Sequence, residues 1–259
     1  MRYRPLGSDP ADPRLGRLIP DDWRHVERYP LSAMPEGEPL GPRPVVIGVS
    51  WYSAFDRPQK DEASGEFFVA KDGVKNIGHV RGGHCVCLEP GGTPDSDDWY
   101  KFYDQGQEGA CVGFGWSRCM SIFNGKEYAA RWLWDAAKKR DEWDETNPGD
   151  ENGTSVRAAA EVLKEMGHVV WDPARADDDW RARENYTPDL DEGVKRFRWA
   201  KSVDEVHAVL ANPRADKLGA VPILNSWGPN YPHRTYLPDD VLAFLIHEEG
   251  GEFAVPTDR

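Results

Sequence analysis

The run Val45-Val46-Ile47-Gly48-Val49-Ser50-Trp51-Tyr52 is β-branched, apolar and bounded by turn formers, and it predicts a buried strand. A second strand, His84 to Leu88, follows a variable loop. Beyond it, Cys111 to Phe123 carries Val112, Trp116, Cys119, Met120 and Phe123 at helical spacing, with Asn124-Gly125 as a stop. Cys111 then stands at a helix N-terminus. Further helices are predicted from Tyr128 to Lys139 and from Thr154 to Met166, the latter capped by Thr154 or Ser155 and ended at Gly167. A short helix, Val203 to Leu210, precedes a strand, Ala220 to Leu224. Strands on either side of a block of helices make this an α+β chain.

Residues 1 to 43 hold Pro5, Pro10, Pro13, Pro20, Pro30, Pro35 and Pro42 among few periodic apolar residues, and predict an extended arm that wraps the body. Residues 44 to 259 read as one domain. Its β segments are 44–98 and 200–259, and its helical part is 99–199. Glu89-Pro90-Gly91-Gly92-Thr93-Pro94-Asp95 predicts a surface connection between the His84 strand and the Cys111 segment. Residues 172 to 198, with Asp177-Asp178-Asp179, predict an exposed, charged excursion.

Lys and Arg total 32 against 45 Asp and Glu, a net charge of −13 that repels phosphate backbones, so nucleic acid is not an expected partner. The apolar stretches are too short for a membrane span. Met1 to Arg17 has no apolar core of a secretory signal, which makes the cytosol the expected compartment. Four cysteines, at 85, 87, 111 and 119, lack the paired knuckles of a zinc site, so free thiols are expected, with no metal and no cofactor. The abundant tryptophans and tyrosines predict large apolar burial, some of it lining a groove.

Cys111 is the candidate nucleophile. A free thiol is only about 3% thiolate at neutral pH, so it needs a helix N-terminus and an imidazolium partner. His84 is the candidate base, and Asn225 can fix its tautomer without adding a charge that competes with the thiolate. Gln105 can place an amide N–H beside the Cys111 backbone N–H as an oxyanion hole. Trp227 is placed to shield the His84–Asn225 bond, Gly106, Gly109, Gly113 and Gly115 to allow close approach to the sulfur, and Gly83, directly before His84, is a further supporting residue. His79 and His233 are reserve bases; His25, His207 and His247 read as surface or satisfied structural residues, His168 follows a helix end, and Cys119 reads as helix-face packing.

Gln105-Gly106-Gln107-Glu108-Gly109-Ala110-Cys111 resembles the Gln-Gly-x-x-Gly-x-Cys signature of papain-family cysteine peptidases, and Asn225-Ser226-Trp227-Gly228 matches that family's Asn-Ser-Trp-Gly. Gly82-Gly83-His84-Cys85-Val86 is similar to its Gly-Gly-His-Ala-Val strand. Gly153-Thr154-Ser155-Val156 to Met166-Gly167 resembles a helix of bacterial and viral members. The resemblance implies a two-lobed fold, with a helical lobe carrying Cys111 and an antiparallel β lobe carrying His84 and Asn225. It also implies hydrolysis of a peptide or protein substrate through an acyl-enzyme. The chain departs from the family in order, reading His, Cys, Asn rather than Cys, His, Asn. Val112 replaces an aromatic residue and Glu108 a half-cystine, and residues 1 to 43 are too few for a long inhibitory propeptide. These departures raise an alternative: a weak or inactive papain-fold binding protein, such as a bacteriophage virion component whose proline-rich arm packs on a protein partner.

Overall fold

A computed structural model describes residues 42–93, 103–141, 153–171 and 186–258. The arm through residue 41, the Pro94–Asp98 end of the breaker-rich connection and the Asp177-Asp178-Asp179 stretch lie outside the described residues.

At the centre, β1 (Val45–Tyr52) pairs antiparallel with β4 (Val80–Leu88), setting Val45 opposite Leu88 and Val49 opposite His84. The short strands β2 (Gln59–Lys60) and β3 (Phe67–Phe68) come between them in sequence. Later in the chain come β5 (Arg196–Trp199), β6 (Ala220–Leu224), β7 (Arg234–Pro238) and β8 (Glu252–Asp258), and among the described residues the eight strands form one sheet in the order β2-β3-β7-β6-β4-β1-β8-β5. The sheet is mixed rather than wholly antiparallel, because Phe68 of β3 meets Tyr236 of β7 in parallel.

The helices are α1 (Cys111–Asn124), α2 (Ala130–Lys138), α3 (Val156–Glu165), α4 (Val203–Leu210), α5 (Pro213–Leu218) and α6 (Asp239–His247). They explain why β1 is apolar at successive positions. Val45, Ile47 and Val49, with Val86 and Leu88 of β4, join one cluster with α4 and α6. Val46, with Cys85 and Cys87, joins a second cluster with α1, α2 and α3. A strand covered on both sides reads as a continuous apolar run.

Local signals fix the helix ends. Gly125, at φ 72°, closes α1 by returning its N–H to Ser121 O at 2.8 Å. Ser155 caps α3 by accepting from the Ala158 N–H at 3.0 Å. On α1, Cys111, Gly115 and Cys119 recur every fourth residue and form one stripe. The stripe lies over β4: a Cβ on Gly115 would stand 2.8 Å from the Cys85 sulfur, and the Cys119 thiol bonds to Cys87.

Several expectations are corrected. β4 begins at Val80, so His84 is mid-strand rather than first. The charged segment ends in a strand, β5, because the free edge of β8 supplies a partner, with Trp199 opposite Ala254. Glu89, at the head of the predicted surface connection, is only 2% exposed and receives the Arg234 guanidinium, with Nη2 at 2.8 Å. The sequence reading places no element after Asn225, where the structure adds β7, α6 and β8. Among the described residues no helix is long and apolar enough to cross a membrane.

Candidate active site

Pairing of β6 with β4 sets Leu224 opposite Cys87, so the chain leaves β6 at Asn225 beside the middle of β4. There the Asn225 Oδ1 lies 2.9 Å from His84 Nε2. The same oxygen accepts the Ser226 N–H at 2.8 Å, which fixes the amide's orientation. An amide oxygen only accepts, so the neutral imidazole carries its hydrogen on Nε2 and presents a lone pair at Nδ1.

Two indoles hold the ring. Trp227 lies at a centroid distance of 5.0 Å, tilted by 34°, and Trp51 meets the ring edge-on at 4.6 Å; the two indoles are 5.3 Å apart. Trp227 thus lies over the ring that bonds to Asn225. Trp51 is a contact that sequence reasoning missed. The signal was its place on β1 opposite Gly82, two residues before His84, visible only once the β1–β4 register is known. Burial among these groups depresses the His84 pKa to about 4, against the opposing bond to Asn225 and the negative charge of Asp56.

Cys111 is the first residue of α1 and is partly exposed. Backbone hydrogen bonds from Cys85, Val112 and Cys111 itself reach its thiol. The first comes from the peptide that joins His84 to Cys85, so the sulfur lies against the imidazole's own strand. The helix N-terminus was expected to lower the thiol pKa. Burial outweighs these bonds and pushes it up to about 11. Both shifts favour the uncharged forms, thiol and neutral imidazole.

Gln105 is buried and its segment docks on the Asn225 motif. The Gln105 N–H donates to Ser226 O at 3.0 Å, Gly228 N–H donates to Tyr103 O at 3.1 Å, and Asp104 bridges Trp227. The motifs around positions 105 and 225 are thus zipped together by backbone bonds. The Gln105 Nε2 donates to Glu108 O at 3.0 Å across the turn before α1, which leaves its second amide hydrogen. Gly106 makes that turn at φ 62°, and Gly109 leads through Ala110 into α1. Gly83 sits in β4 opposite Ser50, directly before His84. Gly113 and Gly115 do not open the sulfur to substrate: a Cβ on Gly113 would lie 2.4 Å from Ala130 O, and Gly115 faces Cys85, so both serve helix packing.

The other histidines are elsewhere. His79 is exposed ahead of β4, and His233 precedes β7. His168 is fully buried: its Nδ1 accepts the Val169 N–H at 2.8 Å, so its Nε2–H donates to Ser117 of α1 at 2.9 Å. That ring cannot act as a base toward the serine. His207 is held between Asp216 and Asp239, each at 2.8 Å. His247 is exposed, and His25 lies outside the described residues. Among the described residues no group of three or more His, Cys, Asp or Glu side chains is placed to hold a metal ion.

No protein-family model matches the chain, and no curated protein matches it. Among solved structures it is similar to xylellain, a cysteine protease from Xylella fastidiosa, at 15% identity and a TM-score of 0.44, over 66% of this chain and 87% of that one. It is also similar to the proform of the Amb a 11 cysteine protease, a ragweed pollen allergen, at 12% identity and a TM-score of 0.40, over 61% of this chain and 62% of the other.

Proposed function

We propose that this protein is a papain-like thiol hydrolase that cleaves peptide or amide bonds through an acyl-enzyme on Cys111. The observation that carries the reading is the His84 Nε2–Asn225 Oδ1 bond beside a thiol held against the His84–Cys85 peptide. With Nε2 committed to Asn225, Nδ1 takes the Cys111 proton as the sulfur attacks the carbonyl carbon, and returns it to the leaving amine. A water, deprotonated by the same nitrogen, then hydrolyses the thioester. The Cys111 backbone N–H and the second amide hydrogen of Gln105 are the donors for the oxyanion. Because the resting pair is neutral, proton transfer accompanies attack rather than preceding it.

The test is labelling by a peptidyl chloromethyl ketone. Wild type is expected to be alkylated at Cys111 and to release product from a peptide amide. Cys111→Ala is expected to lose both, with a melting temperature close to wild type. Labelling of the mutant at the wild-type rate removes Cys111 from the role.

One observation favours a second reading, a binding or structural protein on the same fold, in a virion or elsewhere. Burial holds Cys111 and His84 in their uncharged forms, and one Gln105 N–H is already spent on Glu108. A purified protein that turns over no peptide and leaves Cys111 unlabelled supports that reading.

A further inference from the structure

Beyond the four residues of the proposed machinery, a carboxylate is anchored on the indole that abuts His84. Asp56 ends a single helical turn, Ser53–Asp56, that follows β1. The turn is pinned: Ser53 N–H donates to His79 O at 3.0 Å, Ala54 N–H to Ile77 O at 3.1 Å, and the Tyr231 hydroxyl to Phe55 O at 2.9 Å. From it, the Asp56 Oδ1 accepts the Trp51 indole N–H at 3.0 Å, and the other oxygen meets Arg81 Nε at 3.2 Å. Trp51 in turn stands edge-on to His84 and to Trp227.

We propose that Asp56 is a positioning residue for His84: through Trp51 it fixes the imidazole in its slot, and its charge favours the imidazolium formed when Cys111 gives up its proton. This rests on the thiol-hydrolase reading for its purpose but not for its measurement. The step moves one proton, from Cys111 Sγ to His84 Nδ1, and leaves net charge unchanged. The groups around the imidazole are few. Among the described residues, Trp51 comes from β1 and Asn225 and Trp227 from the segment after β6, and Tyr231, bonded to Asn225, is a neutral phenol that also senses Asp56; the Cys111 thiol of α1 meets the backbone of Cys85, the next residue of the strand. Asp56 supplies the formal charge that acts on the ring. Around a ring this buried, one charge matters more than at a surface. Arg81, 57% exposed at its side chain, partly offsets that charge from the solvent side.

The arrangement makes the two partners opposed in sign. The measurement is the rate of Cys111 alkylation by iodoacetamide, followed by mass spectrometry from pH 5 to 9 on the full chain, which reports the thiolate without any peptide substrate. Asp56→Asn keeps the acceptor for the Trp51 N–H and removes the charge, so alkylation at neutral pH is expected to slow roughly three- to tenfold. Arg81→Gln frees the carboxylate's field, so alkylation is expected to speed up, by roughly twofold or more. A merely structural role would move both variants in the same direction. Shifts of one sign in both variants, or an unchanged rate in Asp56→Asn with a wild-type melting curve, overturn the proposal. Opposite shifts in a protein that hydrolyses no peptide keep the role of Asp56 and discard the hydrolase.

Discussion

An amide rather than a carboxylate at position 225 sets the resting charge of the site. Asn225 orders the imidazole through Oδ1 yet adds no negative charge to offset burial, so His84 rests neutral, its pKa depressed to about 4. Asn225→Asp is expected to raise that pKa and carry the alkaline limb of the Cys111 alkylation profile upward. Asn225→Ala leaves the Nε2–H without its acceptor and is expected to slow peptide turnover by on the order of a hundredfold. A pH series of alkylation and turnover on both variants checks the pair; equal behaviour would show that charge at 225 is irrelevant. At this scale the sequence was most legible where side-chain type and short motif coincide, as in the pairing of His84 with Asn225 and the placing of Cys111 at the head of a helix. It was silent on Trp51 and Asp56, because their contacts depend on strand register and on a turn that no local pattern marks. It also overrated the helix N-terminus at Cys111, since burial depends on what packs around the thiol.

The stripe Cys111, Gly115 and Cys119 lets α1 lie close on β4, and Gly113 lets α2 approach from another side. A Cβ at 113 meets backbone, Ala130 O at 2.4 Å, whereas one at 115 meets the Cys85 sulfur at 2.8 Å, and a side chain yields more readily than a carbonyl. Gly113→Ala is therefore expected to cost about 1–3 kcal/mol despite alanine's better helix propensity, and Gly115→Ala less. Urea unfolding of the two variants checks the order; a stabilised Gly113→Ala would contradict this account of the α1–α2 contact. Helix α1 and the termini of α4 and β6 were readable from apolar spacing and stop residues. Strand β5 was not, because a charged, aperiodic edge strand owes its form to its neighbour rather than to its own pattern.

At the scale of the whole molecule, two histidines among the described residues have their pKa depressed by burial, His84 to about 4 and His168 to about 3. Unfolding frees each to bind a proton near its ordinary value of 6.5. The unfolded chain therefore binds more protons below that value, and stability is expected to fall as pH drops from about 6.5 toward 4, by on the order of a few kcal/mol. His207 has the opposite sign. Its two aspartates raise its pKa against the desolvation that lowers it, so its contribution is full below 6.5 and is lost as pH rises through the folded-state value. Urea midpoints at pH 4.5, 6.5 and 9 check both directions, and His207→Gln should be destabilising at pH 6.5 and nearly silent at pH 9. The α+β class was legible from the order of strand-like and helix-like segments. The mixed sheet was not, since the β3–β7 pairing joins segments far apart in sequence.

The order of the strands has a consequence for biosynthesis. A nascent chain leaving the ribosome has made β1, β4 and α1, and so holds both thiol and imidazole, long before Asn225 is translated. It also lacks β8, which occupies an interior place between β1 and β5. Until Asn225 has been made the imidazole lacks the acceptor that sets its tautomer, and until β8 is added β1 lacks its second neighbour in the sheet. On the thiol-hydrolase reading proposed above, translation itself acts as a timer that keeps an unfinished polypeptide from acquiring an ordered site while its own exposed segments are within reach.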